Sequence, residues 1–404
     1  MTLERPWLLA TARAEREALG RTIQYTPPEA WELESVSPGW RNRDIVAHLA
    51  ASEVVAAASM ADGGEGTLDT LVVALGGERH RRTVSGPLGD PVEAEFAVVD
   101  SPDGPLGVVE MARASGLSLI AEARRDPKRT STRGTGDLIA AAAAAGVARI
   151  LVCIGGSATN DAGAGMAQVL GIRLLDEGGR DLPPGGAALR GLARIDTSGL
   201  AGSVRRIHFL VATDVDNPLV GPNGASAVYG PQKGASPEDV AELDEALRHF
   251  AAVVHRDLGI DLREVPGAGA AGGLGGGLVA FLGARLRPGV DVVMEAVHLQ
   301  ERLEGIDVAV TGEGRFDEQS LHGKVPAGIL RASAEMRVPA VVLCGEAVIS
   351  PAGVRVASLV ERFGREAAID HAGQSLEQLA AEVAAELRPE PAASGRERDR
   401  GQRR

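Results

Sequence analysis

From about Arg81 onward, short apolar runs rich in Val and Ile alternate with longer stretches rich in Ala and Leu. Short β-branched runs predict buried strands, and apolar residues at steps of three or four predict helices. This alternation is typical of parallel strands joined by crossover helices, so the predicted fold class is α/β. The predicted strands are Ile150–Ile154, Ile207–Ala212, Val308–Thr311 and Ala340–Cys344. The predicted helices are Gly136–Ala145, Ala162–Leu170, Pro237–Leu258, Lys324–Met336 and Ser375–Leu387.

The two ends of the chain do not follow this alternation. Residues 1–57 show two amphipathic stretches around Pro27-Pro28, which predicts a short helical N-terminal segment. Residues 389–404 are charged and have no apolar periodicity, which predicts a disordered tail. Between them, residues 58–388 are expected to form two α/β domains with mostly parallel sheets.

The charge and composition of the chain exclude some classes of binding partner. The chain has 404 residues, with 42 Lys+Arg against 55 Asp+Glu and a net charge of −13. This acidic excess is repelled by phosphate backbones and anionic lipid, so we expect no nucleic-acid and no membrane partner. The two cysteines, Cys153 and Cys344, lie in apolar runs, so we expect buried thiols. The first residues show no secretory signal, and we therefore expect a cytoplasmic location. The uncharged stretch 265–284 is glycine-rich, which predicts a loop and a short buried helix.

The densest chemical signal is a glycine-rich turn between a predicted strand and a predicted helix. Glycines let backbone N–H groups point inward, hydroxyls add donors, and a following helix N-terminus adds partial positive charge. This pattern predicts an anion site, although Thr159 or Asn160 acting only as a helix cap would also explain part of it. The candidate binding residues are Gly155, Gly156, Ser157, Thr159, Asn160 and Asp161.

Three further clusters place carboxylates next to glycines near predicted strand ends or helix starts. Carboxylate oxygens suit Mg²⁺ coordination or acceptance of a hydroxyl proton. An ordinary Asp-Asn-Pro turn is an equally good explanation of Asp214 or Asp216 taken alone. The candidates are Asp62 and Glu65 in the first cluster, Asp214 and Asn217 in the second, and Glu313 and Asp317 in the third.

Lysine is nearly absent from this arginine-rich chain. Only Lys128, Lys233 and Lys324 remain, and the last two lie inside the glycine-rich clusters. A compact ammonium group neutralises phosphate in a way that a planar guanidinium does not copy. We therefore count Lys233 and Lys324 among the candidate catalytic residues.

Several of these motifs, taken in order along the chain, resemble the bacterial glycerate kinase family. The resemblance covers about Met60 to Leu387. It implies a two-domain α/β enzyme that uses ATP and Mg²⁺ to phosphorylate a hydroxyl of D-glycerate. The segments that carry it are Gly134–Ile139, Gly155–Asp161, Thr213–Leu219, Gly221–Gly234 and Thr311–Lys324.

Within that resemblance, a role can be assigned to each cluster. The turn Gly155–Thr159 is expected to hold phosphate, and Lys233 and Lys324 to neutralise anionic oxygens. Asp214 and Asp317 are expected to bind Mg²⁺ or to orient the substrate hydroxyl. The sequence does not indicate which of the two binds metal, which hydroxyl reacts, or the oligomeric state.

The N-terminal part departs from the family pattern. Family members normally open with a strand and an Asp-Ser-Phe-Lys-Gly-Ser-type segment, which has no match here. Instead, Trp31–Glu53 resembles the start of a mycothiol-dependent maleylpyruvate isomerase, a four-helix metal-binding domain in which His48 would match a metal ligand. This departure predicts a gene fusion. It leaves a second functional hypothesis, a truncated or chimeric remnant that binds nucleotide or acts as an interaction module without catalysis.

Overall fold

The computed structural model describes residues 60–101, 103–321 and 324–387. In these ranges the strands are β1 Glu78–Ser85, β2 Pro91–Ser101, β3 Gly104–Glu110, β4 Arg149–Cys153, β5 Arg173–Leu175, β6 Arg194–Asp196, β7 His208–Thr213, β8 Arg285–Pro288, β9 Ala309–Phe316, β10 Ala340–Ala347 and β11 Arg355–Ser358. The α-helices are α1 Thr67–Leu75, α2 Ala112–Ser115, α3 Arg133–Ala144, α4 Ala164–Val169, α5 Gly202–Arg205, α6 Ala225–Tyr229, α7 Pro237–Leu258, α8 Leu274–Leu282, α9 Gly289–Ala296, α10 Leu299–Leu303, α11 Val325–Met336, α12 Leu359–Phe363, α13 Arg365–Asp370 and α14 Ala372–Leu387. The predicted N-terminal segment 1–57, with His48, and the predicted tail 389–404 lie outside the described residues.

The described residues form two compact units. The larger one contains Met60 to Ile306 and Gln319 to Arg337, and the smaller one contains Asp307 to Glu318 and the described residues from Val338 onward. A six-stranded sheet with the order β1-β2-β3-β4-β7-β8 runs through the larger unit. β3, β4, β7 and β8 pair in parallel, whereas β1 and β2 form an antiparallel extension at one edge.

The smaller unit is built on a parallel three-stranded sheet with the order β11-β10-β9. Val341 and Leu343 of β10 pack with Leu359 of α12 and with Leu379 and Val383 of α14 in its core. Both units therefore confirm the α/β class and the mostly parallel sheets.

The predicted elements are present, but some of their bounds are wrong. The predicted helix 162–170 begins only at Ala164, because Ala162 and Gly163 adopt left-handed backbone conformations that end the preceding loop. The predicted strand 308–311 continues to Phe316, so Glu313 lies inside β9 opposite Cys344, and only Asp317 follows the strand end. The antiparallel strands β1 and β2 were not predicted.

The long helix α7 has the predicted bounds, Pro237–Leu258, and its ends have clear local causes. Ser236 and Asp239 form a reciprocal capping box at its start, and Gly259 adopts a left-handed conformation at its end. Its apolar face, which includes Leu243, Leu247 and Phe250, is buried in the core of the larger unit. None of the described helices is long and apolar enough to cross a membrane.

Two predictions about the chain between the motifs are confirmed. Residues 265–273 form turns and Leu274–Leu282 forms a short buried helix, as predicted for the uncharged stretch. Cys153 and Cys344 are both buried free thiols. Burial raises the pKa of Cys153 well above its ordinary value and that of Cys344 to about 12, which makes both thiols unreactive at neutral pH.

The loop that carries Asp62 packs closely on the start of α9. A Cβ atom placed on Gly289 would lie 1.7 Å from the carbonyl oxygen of Asp62. Gly202, at the start of α5, is a matched position, because the nearest heavy atom to a Cβ there is 3.7 Å away on the flexible side chain of Arg206.

We therefore predict that Gly289→Ala lowers the free energy of unfolding by about 3 kcal/mol or more, because backbone atoms must move apart. Gly202→Ala should leave stability unchanged or raise it by up to about 1 kcal/mol. Urea denaturation followed by circular dichroism measures both. Equal effects of the two variants would contradict the close packing of this loop.

Candidate functional site

The candidate residues of the larger unit lie along the carboxyl ends of its parallel strands. β3 ends at Glu110, the turn that contains Ser157 follows β4, and Asp214 follows β7. Ligands of open α/β sheets bind at this edge, because the loops after neighbouring strands converge there. The topology therefore places the glycine-rich turn after β4 beside the loop of Asp214 and Asn217.

Several backbone carbonyls of the turn after β4 accept hydrogen bonds from neighbouring segments of the protein. The Gly156 carbonyl accepts a hydrogen bond from the Leu117 N–H at 2.9 Å. The Ala158 carbonyl accepts one from the Thr130 hydroxyl at 2.9 Å. These contacts tie the acceptor side of the turn to neighbouring segments.

The donor side of the turn is different. Among the described residues, no protein acceptor lies in hydrogen-bonding geometry to the backbone N–H groups of Gly155, Gly156, Ser157 or Thr159. Gly156 has a φ of 72°, a left-handed conformation that glycine adopts without strain. Between these residues, the Ala158 N–H donates to the Ser115 carbonyl at 2.9 Å. Several backbone donors without protein acceptors in one turn are the chemistry expected of an anion site.

Lys233 is buried directly behind this turn. Its side chain is 2% exposed, and its ammonium group donates to the Ser157 hydroxyl at 2.8 Å and to the Thr159 carbonyl at 2.7 Å. Burial lowers the pKa of Lys233 to about 7, and the nearby charge of Asp161 acts in the opposite direction. The structure therefore places Lys233 in contact with the turn itself.

Asp161 is fully buried at the end of the same turn. Its carboxylate accepts hydrogen bonds from the Thr132 N–H at 2.9 Å, the Thr132 hydroxyl at 3.0 Å, and the N–H groups of Gly165 and Gly163, each at 3.2 Å. Burial raises its pKa, and these four donors oppose that shift. Asp161 therefore joins the turn to α3 and α4.

The predicted contribution of a helix N-terminus to the anion site is wrong. α4 begins at Ala164, and its first N–H groups are already used, because Gly165 donates to Asp161 and Met166 donates to the Thr132 hydroxyl at 3.0 Å. A helix end capped from inside the protein does not offer these donors to a ligand. The binding capacity of this region rests on the turn alone.

The glycine-rich segment 267–273 supports the turn from another side. A Cβ on Gly272 would lie 1.9 Å from the Thr159 carbonyl oxygen, and the Gly272 carbonyl accepts a hydrogen bond from the Ala162 N–H at 3.1 Å. Nearby, the buried Asn160 side chain donates to the Ser226 hydroxyl at 3.0 Å. The glycines in this segment are thus explained by close backbone packing.

The loop of Asp62 and Glu65 lies against the same sheet edge. A Cβ on Gly155 would lie 2.7 Å from the Cα atom of Gly64, and one on Gly63 would lie 2.8 Å from the Cβ of Ala212. The close approach of these two glycine-rich loops puts Asp62 and Glu65 beside the turn, and their predicted ligand-facing role remains a prediction.

Glu110 anchors that loop and was not predicted from the sequence. Its buried carboxylate accepts a hydrogen bond from the Gly66 N–H and one from Arg113 at 2.6 Å. Burial raises the pKa of Glu110, and Arg113 opposes that shift. The apolar run Leu106–Val109 followed by an acid is the signal that could have revealed it.

Asp214 is close to charges of both signs. Asp214 is accessible, but desolvation by the surrounding protein raises its pKa. The negative charge of Asp62 raises this pKa further, and the positive charge of Lys324 lowers it. Asn217, on the same loop, accepts a hydrogen bond from the Tyr229 hydroxyl and donates to the Asn223 carbonyl, each at 2.8 Å. The larger unit therefore brings Asp62, Asp214 and Lys324 within electrostatic range of one another.

Glu313 and Asp317 belong to the smaller unit. Glu313 is half-buried within β9, and Asp317 follows that strand, where its carboxylate lies 3.6 Å from the guanidinium of Arg315. Lys324 occupies the N-cap position of α11 in the larger unit. The roles predicted for these residues remain predictions.

Comparison with known proteins identifies the family. The model of the glycerate kinase family matches residues 36–388 of this chain. The chain belongs to the glycerate kinase family. It is an enzyme of this kinase class, which uses a nucleotide and acts on a small-molecule substrate.

Relatives of known name agree with this assignment. A glycerate kinase of Halalkalibacterium halodurans is 48% identical over 80% of this chain and 87% of its own length. A glycerate 2-kinase of Escherichia coli is 47% identical over 71% of this chain and 74% of its own. The crystal structure of a putative glycerate kinase 2 from Salmonella typhimurium LT2 has 44% identity and a TM-score of 0.71, and it covers 81% of this chain and 87% of that one.

The family match begins at residue 36, inside the segment that resembles maleylpyruvate isomerase. That second resemblance and the gene fusion remain predictions.

A magnesium ion would find suitable residues at this edge of the sheet. Among the described residues, no group of three or more His, Cys, Asp or Glu side chains is arranged to hold a metal ion. Mg²⁺, however, commonly binds to one or two carboxylates, substrate phosphates and water. Asp214 and Asp62 fit that pattern, because the negative charge of Asp62 raises the pKa of Asp214, and a cation between the two carboxylates would relieve this repulsion.

We predict that Asp161→Asn lowers the free energy of unfolding by about 2 to 4 kcal/mol, because an amide nitrogen cannot accept the buried hydrogen bonds that the carboxylate accepts. The matched control is Asp181→Asn, which changes an exposed carboxylate paired with Arg173 and should leave stability nearly unchanged. Urea denaturation measures both. A loss no larger than that of the control would contradict the structural role of Asp161.

The lowered pKa of Lys233 predicts a pH dependence of stability. Between about 7 and its ordinary value of 10.5, the unfolded chain binds more protons at Lys233 than the folded protein does. The free energy of unfolding should therefore rise with pH in this window, relative to that of Lys233→Met. Urea denaturation at several pH values across the window measures the difference.

Lys128→Met is the control for this experiment. Lys128 is paired with Asp239, which raises its pKa, so its removal should not abolish the rise. Parallel pH curves for the wild-type protein and Lys233→Met would contradict the buried placement of Lys233.

Proposed function

We propose that this protein is a glycerate kinase that transfers the terminal phosphoryl group of ATP, with Mg²⁺, to a hydroxyl of D-glycerate and gives phosphoglycerate. The observation that carries the proposal is the turn after β4, in which the carbonyls of Gly156, Ala158 and Thr159 are held by the protein while four backbone N–H groups, those of Gly155, Gly156, Ser157 and Thr159, lack protein acceptors. Family membership and relatives at 47–48% identity support the same activity.

In this reaction the hydroxyl oxygen of glycerate attacks the terminal phosphorus, and the bond from that phosphorus to the ADP oxygen breaks. Catalysis of phosphoryl transfer is mainly positioning and charge neutralisation. The backbone N–H groups of Gly155, Gly156, Ser157 and Thr159 would bind phosphate oxygens. Because these donors belong to a fixed turn, they need little reorganisation as charge develops.

Lys233 would act as a positioning residue. The sequence suggested direct neutralisation of substrate oxygens, but the ammonium group is buried and already donates to Ser157 and Thr159. It would hold the turn in the conformation in which its N–H groups face the ligand. Asp161 and Asn160, also buried, would do the same from α4 and α6.

Asp214 and Asp62 would hold Mg²⁺ in the larger unit, and Lys324 would neutralise anionic oxygens beside them. When bound, Mg²⁺ would supply positive charge that neutralises the negative phosphate oxygens and so lowers their repulsion of the incoming hydroxyl. Asp317 and Glu313, near the end of β9, would orient the glycerate hydroxyl and accept its proton, and Glu65 and Asn217 would complete the polar lining. We expect this reaction to take place in the cytoplasm, where ATP is available.

The test is direct product analysis with purified protein. ATP, Mg²⁺ and D-glycerate are incubated with the enzyme, and ³¹P NMR with proton coupling identifies the phosphorylated product. Because the E. coli relative is named a glycerate 2-kinase, O2 is the first position to examine. Phosphoglycerate formation supports the proposal, whereas nucleotide binding without product would favour the inactive remnant.

We predict that Asp214→Asn lowers kcat by about 100-fold or more, because a neutral amide is a poor ligand for Mg²⁺ and no longer balances Lys324. Asp216→Asn, on the same loop, is the matched control and should change kcat by less than about threefold, because this exposed carboxylate has no proposed role in metal binding. A coupled ADP-release assay measures both. Similar losses in the two variants would argue against a specific role for Asp214.

A further inference from the structure

A second region of the larger unit is rich in positive charge. It is a cavity of about 520 Å³ lined by Leu88, Ala123, Arg124, Arg125, Asp126, Lys128, Arg129, Gly234 and Asp239. Four cationic side chains therefore face two carboxylates, in a chain whose net charge is −13. Such a local reversal of charge is a candidate anion site, because the net negative charge of the chain does not favour anions elsewhere without a similar local excess of positive charge.

The partners of these cations leave positive charge in excess. Lys128 is paired with Asp239, which raises its pKa, and Arg124 is paired at 3.0 Å with Asp90 outside the cavity lining. Arg129 has no carboxylate within ion-pair distance among the described residues. The two carboxylates of the cavity therefore leave part of the cationic lining uncompensated.

Arg125 supplies a second, independent observation. Its Nε atom is buried and has no hydrogen-bond partner among the described residues. Its terminal nitrogen reaches only the Gln232 carbonyl, at the long distance of 3.5 Å. A guanidinium that makes only one long hydrogen bond keeps unused donor capacity, and its terminal nitrogens can donate to an anion in the cavity.

The cavity walls are continuous with the segments that hold the turn after β4. Residues 124–129 lead directly to Thr130, which donates to the Ala158 carbonyl, and to Thr132, which donates to Asp161. Gly234 follows Lys233 and lies so close to Arg125 that a Cβ there would be 2.6 Å from the Arg125 carbonyl oxygen. Both walls of the cavity thus contact the turn through hydrogen bonds.

We propose that this cavity is a second anion site, distinct from the turn, that binds a small anion with two or more negative charges, such as a phosphate ester or a polycarboxylate. Arg125 and Arg129 donate to the anion, and Arg124 and Lys128 add charge. Occupancy stiffens the segments that carry Thr130 and Lys233 and so stabilises the turn. The site is regulatory with respect to the kinase reaction proposed above, but its ligand binding does not depend on that reaction.

Calorimetric titration of the intact chain tests the proposal, with inorganic phosphate and citrate as separate probes. Arg125→Gln and Arg129→Gln should each weaken binding of the preferred probe by about tenfold or more, because each removes a charge-assisted hydrogen bond. Arg129 is exposed, so its variant keeps the test valid if Arg125→Gln does not fold. Arg173→Gln, which changes an exposed arginine elsewhere, is the control and should have no effect.

Lys324→Met separates this site from the reaction site. Lys324→Met should keep the wild-type affinity for the probe, which Arg129→Gln weakens, even if the protein proves not to phosphorylate glycerate. Amide hydrogen exchange should show that the probe protects residues 155–161 in the wild-type protein and in Lys324→Met, but not in Arg129→Gln. Binding that is unchanged in both cavity variants, or that ATP displaces competitively, would overturn the proposal.

Discussion

The structure of the candidate site depends on two opposite charges buried behind one turn. Lys233 and Asp161 approach the turn after β4 from different segments, and each satisfies its charge with hydrogen bonds to the turn or to the adjoining helices. Buried charges are tolerated only with such partners, and removal of a partner leaves an uncompensated charge. The turn is therefore held in one conformation by groups that cannot move without a large loss of free energy.

This arrangement supports the proposal that the turn binds phosphate without a helix N-terminus. The carbonyl oxygens of Gly156 and Ala158 accept hydrogen bonds from neighbouring segments, and the N–H groups of Gly155, Gly156, Ser157 and Thr159 have no acceptor among the described residues. Neighbouring segments add the carboxylates of Asp62 and Asp214 and the ammonium group of Lys324. Glu110 and Arg113 extend the same principle to the loop of Asp62, whose Gly66 N–H is bound by a buried carboxylate.

Local patterns predicted what depends on local interactions. The bounds of α7 follow from its capping box and its terminal glycine, and the glycine-rich turn could be recognised from its residues alone. β1 was missed because its sequence, Glu78–Ser85, is largely charged and shows no apolar run. The burial of Lys233 could not be predicted, because its contact with Ser157 joins residues 76 positions apart in the chain. The internal capping of α4 by Asp161 depends equally on the packing of α3 against it.

The most direct test is a crystal structure of the protein with Mg²⁺, D-glycerate and a non-hydrolysable ATP analogue. The account predicts that phosphate oxygens accept hydrogen bonds from the backbone N–H groups of Gly155, Gly156, Ser157 and Thr159, while the Lys233 ammonium still donates to Ser157 and to the Thr159 carbonyl. A phosphate bound away from this turn, or a Lys233 that leaves the turn to contact the phosphate, would contradict it.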